Sequence, residues 1–423
     1  MKRSRFRRRA TIGALIMTIG AGGLGLAVEP SVPAGASSAK SPITIALISS
    51  LTGEAASQFS DSPVGFNARI ALQNSMGGVN GHKIIGIVID DQTNPSTAPT
   101  AVQEAISKGV TGIVSVSPLF FLGAKYAQQA HIPVTGGTFD GPEWGQQPYT
   151  NMFAADTGSV DPKYPVSTLF GSFFKKYGGS SSVIGSYGYG ISPSSARSAV
   201  GTAQSAQRNG LKVGVLDTSV PFGSVAFGTA ALTAKAKGVN TLYGAMDDDS
   251  NFALLTAMKQ AGMKMKTVIF PTGYESSVIN SPAWADLQGT YFLSEFRPYG
   301  APNAGTKQLA AALQKYEHRA PSDFATFNIY EAWLGADLMI KGLELAGKNP
   351  TSAGVIKSLR TLKSYNGDGL IPNPINFTTA FGHDIPKTCE WVLQAEKSGF
   401  VLSSKTPICG TDIPGTSTAA VGT

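Results

Sequence analysis

The sequence is poor in the residues that enzymes use for chemistry. Four histidines, His82, His131, His318 and His383, are scattered over 423 residues, with no HExxH or other close-spaced ligand pair. They read as surface or edge histidines. No Gly-x-Ser-x-Gly elbow or Walker loop occurs. The glycine-rich run Gly185–Gly190 follows an apolar stretch, but lacks dinucleotide-binding spacing and an acidic residue to hold a ribose. Ser172-x-x-Lys175 matches a short hydrolase motif only within an amphipathic helical pattern. These absences leave an enzyme without a catalytic residue to name, and no metal or cofactor is implied.

Charge is scarce too, at 14% of residues, and the formal net of +7 misleads. Lys2, Arg3, Arg5, Arg7, Arg8 and Arg9 precede Ala36, against one acid, Glu29. Without residues 1–36 the 34 basic residues fall to 28 and the 27 acidic ones to 26, a net of +2. With no basic patch left to neutralise phosphates, nucleic acid is not an expected partner. The first 36 residues combine a basic start, the apolar run Thr11–Val28 and small residues at Ala34-Gly35-Ala36, the three parts of a secretory signal. Arg8-Arg9 admits a twin-arginine route. No later run reaches membrane-spanning length, so no transmembrane segment is expected after signal cleavage. No cysteine sits near the cleavage region to carry a lipid anchor. The only cysteines, Cys389 and Cys409, flank a hairpin pattern in a chain bound for an oxidising compartment, which favours a disulfide between them.

What is present is a regular alternation of short apolar strands and amphipathic helices. The chain is organised around Ile43–Pro95. There a β-branched run, Ile43–Ile48, leads through a helix opening at Asp61-Ser62-Pro63 and ending at Gly77-Gly78. A second strand, Lys83–Ile89, then ends at Asp90-Asp91 in an expected solvent-facing loop. Strands at Gly112–Val116 and Ile132–Thr135 follow, with helices at Thr97–Ser107 and Leu122–Ala130. A second alternating set includes helices Tyr164–Tyr177, Ser194–Arg208, Ala226–Lys237 and Asn251–Met263. Its strands read as Ser182–Tyr187, Leu211–Asp217, Asn240–Met246 and Thr267–Phe270. Helices Ala304–Glu317, Asp323–Leu345 and Ser352–Leu362 come next, then the Cys389–Cys409 hairpin and a small, polar tail, Gly410–Thr423, that reads as disordered.

The wording of four stretches carries a resemblance: Ile43–Pro95, with its Gly77-Gly78-Val79 turn and Gly81-His82-Lys83-Ile84 strand entry; Gly141-Pro142-Glu143; Ser195-Ala196-Arg197-Ser198; and Cys389–Gly399. Together they resemble the branched-chain amino acid-type solute-binding proteins of ABC importers. The resemblance implies an α/β fold with two doubly wound parallel-sheet lobes joined by a three-crossing hinge, the type I periplasmic-binding architecture. Residues 41–157 with 296–366 would form the first lobe, and 158–295 with 367–409 the second. The crossings would fall near Asp156–Val160, Ser294–Pro298 and Asn366–Asn376. The expected protein is a secreted, extracytoplasmic monomer that delivers a small-molecule ligand to an ABC importer permease. A ligand-sensing module for a signalling partner, or a secreted enzyme, are the alternatives.

Ligands in open α/β sheets bind at the carboxyl ends of the strands. From the first lobe this nominates Phe59, Ser117, Thr138, Phe139 and Asp140, and from the second Tyr187, Tyr189, Asp247 and Tyr274. The resemblance implies hydroxyls and backbone amides at the loops matching Ser117 and Thr138, holding a ligand carboxylate. This chain departs from that pattern. Pro118-Leu119-Phe120-Phe121 follows Ser117, and Asp140 stands where a threonine is usual. In the second lobe the family aromatic aligns with Ile191, so Tyr187 or Tyr189 would substitute. Tyr274 or Glu275 would occupy the ammonium-binding position. Asp247 reads either as a ligand contact or as solvated, with Asp249 or Ser250 capping the next helix. A carboxylate facing Asp140 would be repelled, so the expected ligand bears an amide, an amine or a ring rather than being leucine, isoleucine or valine.

Overall fold

The computed structural model describes residues 40–137, 140–145, 147–156, 165–320, 326–378 and 388–417. Strand β1 (Ile43–Ser49) pairs in parallel with both β2 (Ile84–Asp90) and β3 (Gly112–Val116), and β4 (Val134–Gly136) and β5 (Met152–Ala154) extend the sheet in the order β2-β1-β3-β4-β5. The period of two along β1 divides its side chains between two cores. Ile45 and Leu47 join the core that contains Phe66 and Ile70, whereas Ala46 and Ile48 face Ala101, Val102 and Ala127. Burial on both faces is what a β-branched, non-alternating run demands.

Helices α1 (Ala56–Phe59) and α2 (Ser62–Ser75) fill the first crossover, and α3 (Ala98–Ser107) and α4 (Ala124–Gln129) the next two. Asp61 stands at the start of α2 without capping it through its side chain. It pairs instead with Arg319.

The second alternating set gives α5 (Leu169–Gly178), α6 (Pro193–Arg208), α7 (Gly228–Ala236) and α8 (Asp248–Gln260). A two-stranded ribbon precedes it, β6 (Val166–Ser167) against β15 (Asp412–Ile413). The main sheet is built from β7 (Val183–Tyr189), β8 (Lys212–Val220), β9 (Thr241–Ala245), β10 (Thr267–Phe270), β11 (Tyr291–Ser294), β12 (Cys389–Glu396) and β13 (Gly399–Leu402), with β14 (Ile408–Cys409) paired to β12. Its order is β13-β12-β11-β10-β9-β7-β8, parallel from β8 to β11 and antiparallel at β12 and β13. Cys389 and Cys409 lie opposite each other in the β12–β14 pair and are joined by a disulfide.

A short helix α9 (Trp284–Leu287) precedes β11, and the chain then returns to the first sheet as α10 (Ala304–Glu317), α11 (Phe327–Leu345) and α12 (Ser352–Leu359). Helix α11 packs on α2, β3 and β4. Gly65 makes that contact possible: a Cβ there would sit 2.1 Å from the Ile329 carbonyl oxygen. Arg69 adds an ion pair to Asp337 at 2.7 Å and a face-on contact with Trp333. Where the chain passes between the sheets, the segments tie to each other. The Arg297 amide donates to the Leu370 carbonyl at 2.6 Å, and its Nε donates to the Gly369 carbonyl at 3.0 Å.

Three expectations are corrected. Residues 410–417 are placed, because β15 pairs with β6 and the Thr416 hydroxyl accepts from the Val166 amide at 2.8 Å; residues 418–423 lie outside the described residues. That pairing also delays the start of α5 from Tyr164 to Leu169, since Val166 and Ser167 are drawn into a strand. Asp91 does not face solvent: it is wholly buried.

Candidate functional site

The strand ends of the two sheets face each other across a cavity of about 320 Å³. From the first sheet's side come Gln58 and Phe59 of α1, Pro118 after β3, and Phe327 at the head of α11. Phe59 and Phe327 meet edge to face with ring centres 6.3 Å apart. From the second sheet come Tyr189 at the end of β7, Met246 and Asp247 after β9, and Thr272 after β10. Phe222 packs against Tyr189 at 4.7 Å.

The cavity continues under α6, between that helix and the sheet. Its sheet wall is made of alternate residues: Tyr243 and Ala245 of β9, Leu293 and Glu295 at β11, and Thr388 and Glu390 at β12. Alternation places these side chains on one face of the sheet, toward Phe170, Ser198 and Thr202 opposite. The Tyr243 hydroxyl lies 2.6 Å from Ser198 Oγ, which closes that side.

Of the nominated residues, Phe59, Tyr189 and Asp247 line the cavity together. Asp247 caps α8, accepting from the Ser250 amide at 2.8 Å, and so takes the place expected of Asp249 or Ser250. It also accepts from the Tyr189 hydroxyl, and Tyr189 reaches Ser250 Oγ at 2.6 Å. Burial and the neighbouring Asp247 carboxylate keep the Tyr189 phenol well above its ordinary range.

Ser117, Asp140, Tyr187 and Tyr274 stand outside the cavity lining. Ser117 donates to Asp91, which also accepts from Ser50 Oγ at 2.6 Å and from the Thr93 amide at 2.9 Å. Burial raises the Asp91 carboxyl despite these three donors. Asp140 is fully buried and accepts from the Phe121 amide at 2.9 Å and from Trp144 Nε1 at 2.6 Å. Burial pushes its carboxyl up to about 6. The Asp140 backbone carbonyl accepts from Ser192 Oγ at 3.3 Å, so the residue touches the second half through its main chain. Tyr187 lies in the same core as Tyr189, beside Val239 and Leu242, but two positions back from the strand's end. Tyr274 bonds Ser294 Oγ at 3.0 Å in the interior. Thr138 and Phe139 lie outside the described residues.

Sequence reasoning missed the inner wall. Glu390 and Glu295 extend the antiparallel register of β12 and β11, in which Ser294 stands opposite Trp391. The signal was in the strand pattern, because Glu390 alternates with Cys389 and Trp391 and shares parity with the buried Val392. Glu275, offered as an alternative to Tyr274, is buried beside Asp248. The Asp248 carboxyl is raised to about 7 by burial, and Glu275 is held well above its usual range by burial and then by Asp248.

The sequence profile of the family described as periplasmic binding protein matches residues 42–399. Among solved structures, the chain resembles a fatty acid ABC transporter substrate-binding protein from Thermomonospora curvata (TM-score 0.71, 18% identity, covering 86% of this chain and 92% of that one). It also resembles the branched-chain amino acid transporter substrate-binding protein of Streptococcus pneumoniae solved with isoleucine (TM-score 0.67, 15% identity, 87% and 99% covered). A solute-binding protein of R. palustris in complex with benzoate superposes similarly (TM-score 0.67, 15% identity, 88% and 98% covered). No curated protein matches the sequence. At these identities the likeness shows the fold, which is of the type I periplasmic-binding kind.

Proposed function

This chain belongs to the periplasmic binding protein family, and from that premise we propose that it is an exported solute-binding protein that hands a small amphipathic ligand to an ABC importer permease. The cavity between the facing strand ends carries the proposal: a partly enclosed, aromatic-lined space with a few polar groups is what a small-molecule site requires. Phe59, Phe327, Tyr189 and Phe222 would hold the apolar body of the ligand, and Asp247 would hold Tyr189 in position. Ser117 and Asp140 would act indirectly, by fixing the loops that carry Pro118 and Phe121. The two halves would close on the ligand as lobes 41–157 with 296–366 and 158–295 with 367–409, and the Ser57–Asp249 hydrogen bond of 3.0 Å is a contact that closure would make. The basic, apolar leader supports export, and among the described residues no helix is long and apolar enough to cross a membrane.

The ligands named for the similar structures, a fatty acid class, isoleucine and benzoate, span aliphatic and aromatic bodies. Leucine, isoleucine and valine are expected to bind weakly here, because no cation stands at the loops after β3 and β4 to receive a carboxylate. A thermal-shift screen of amino acids, amides, amines, alcohols and aromatic acids tests the reading, with small-angle scattering on the hits. At least one compound should raise the melting temperature and compact the protein. A screen in which nothing binds would overturn solute binding.

A further inference from the structure

The inner wall of the cavity contains a carboxyl group with one oxygen that the fold leaves without a partner. Glu390 is 8% exposed, lines the cavity, and its Oε2 accepts no hydrogen bond. Register places Glu295 directly across from it on the neighbouring strand, on the same face and also at the cavity wall. Glu331 of α11 is wholly buried against the Asp156 carboxyl, and no donor group reaches either of its oxygens. Leaving a buried acceptor unsatisfied costs about 1–3 kcal/mol, and at a cavity wall a bound species is one way to satisfy it. Among the described residues no group of three or more His, Cys, Asp or Glu is arranged to hold a metal ion.

We propose that the end of the cavity at Glu390 and Glu295 receives the positively charged amine or amidinium group of the ligand, whose apolar body lies along Leu293, Phe170 and the aromatic mouth. The proposal rests on the solute-binding reading and names its substrate class: small amphipathic cations. The groups facing this point are Asp156 after β5, Glu295 after β11, Glu331 on α11 and Glu390 on β12. On the α6 side Arg197 also lines the cavity, where its guanidinium donates to Ser194 Oγ at 3.4 Å, and Arg297 is occupied over the Trp391 ring at 4.9 Å. Burial, followed by Glu295 and Asp156, holds Glu390 well above the usual carboxylate range. Glu331 is raised the same way, by burial and then by Asp156 and Glu295. An entering cation would therefore be met by a carboxyl that gives up its proton to solvent and becomes the counter-charge.

The test is calorimetry on the full exported chain with three matched probes: 2-phenylethylamine, 2-phenylethanol and phenylacetate. The amine should bind at least about tenfold more tightly than the alcohol, with phenylacetate weakest, because a buried charge pair is worth more than a neutral contact. Glu390→Gln keeps the shape of the side chain, and should cost the amine about tenfold or more while leaving the alcohol within about twofold. On the unaltered protein, amine titrations in phosphate and in Tris should differ in enthalpy by the signature of a released proton, and alcohol titrations should not. Equal affinity for amine and alcohol, a preference for phenylacetate, no binding of any of the three, an unaffected Glu390→Gln, or no proton release would each overturn the proposal. If the wider screen still yields hits, the solute-binding reading survives that failure; if it yields none, that reading falls with it.

Discussion

At the rim of the first sheet the aspartates are occupied by their own neighbours, although Glu143 keeps one buried oxygen without a partner; at the rim of the second, more carboxyl oxygens stand so. Asp90 accepts from the Leu51 and Gln92 amides and from the Thr52 hydroxyl at 2.6–2.9 Å. Asp91 gathers Ser50, Thr93 and Ser117, and Asp140 gathers Phe121 and Trp144. Across the cleft, no donor from a neighbouring loop reaches the carboxyl of Glu275, which abuts the Asp248 carboxyl, or Oε2 of Glu390. Residues of one chemical type thus serve two ends. Where donors from adjacent loops converge, a carboxylate fixes the backbone; where they do not, the group is held in its neutral form or left for something that arrives later.

The comparison breaks most readily at Asp91. Asp91→Ala should orphan three buried donors and lower the unfolding free energy by about 3 kcal/mol or more, read from urea denaturation. Glu390→Gln, by contrast, removes a poorly solvated acid and should leave stability unchanged or raise it by about 1 kcal/mol. A comparable loss in both variants would show that the two rims do not differ in this way.

Of similar size is the disulfide at the far end of β12. Its residues are separated by 20 positions, and replacing both cysteines by serine should cost about 3 kcal/mol in the chain-entropy account. Thiol titration of unreduced, denatured protein should find no free cysteine.

Next comes the dependence on pH. A carboxyl raised in the folded state binds its proton more tightly there than in the unfolded chain. It therefore stabilises fully below its unfolded value and loses that contribution as pH rises through its folded value. Asp140, at about 6, and Asp248, at about 7, place this loss between about pH 4 and 7, with Glu275, Glu331 and Glu390 extending it upward. Asp90, whose carboxyl burial would raise but hydrogen bonds from Thr52, Gln92 and Leu51 together lower, works in the reverse sense at lower pH. Unfolding free energy should fall from pH 5 to pH 8 by about 1 kcal/mol per pH unit for each net proton released. A flat profile would mean that the second rim is solvated or paired in solution.

The smallest effect is expected at the contact between the halves. Ser57→Ala removes an exposed hydrogen bond to Asp249 and should change stability by less than about 0.5 kcal/mol. Affinity for any hit from the screen should weaken by no more than about threefold, measured by calorimetry, as one exposed contact permits.

The strand–helix alternation was legible because burial on both faces demands continuous apolar strands, and crossovers demand amphipathic helices. Gly112–Val116, Thr267–Phe270 and Ala304–Glu317 have the limits that periodicity and composition give them. The site was less legible. Loop residues such as Ser117 and Asp140 lie at strand ends, as a ligand contact must, yet whether their polar atoms face the cleft or a neighbouring loop depends on the path of the loops themselves. Tyr187 and Tyr189 differ by two positions and by one role: Tyr189 reaches the cavity at the strand's end, while Tyr187 remains in the core beneath it.

The sequence by itself determined the parallel α/β class and the pairing of two lone cysteines, since each follows from local pattern and composition, and the wording of a few stretches carried the resemblance to the family. The tertiary structure alone decided which carboxyls are satisfied. That depends on donors distant in the chain, as when Ser50 reaches Asp91 across 41 residues and Phe121 reaches Asp140 across 19. It also brought Glu295 and Glu390 to one wall from strands nearly a hundred residues apart. Only register, set by the packing of β11 on β12, makes neighbours of residues that the chain keeps so distant.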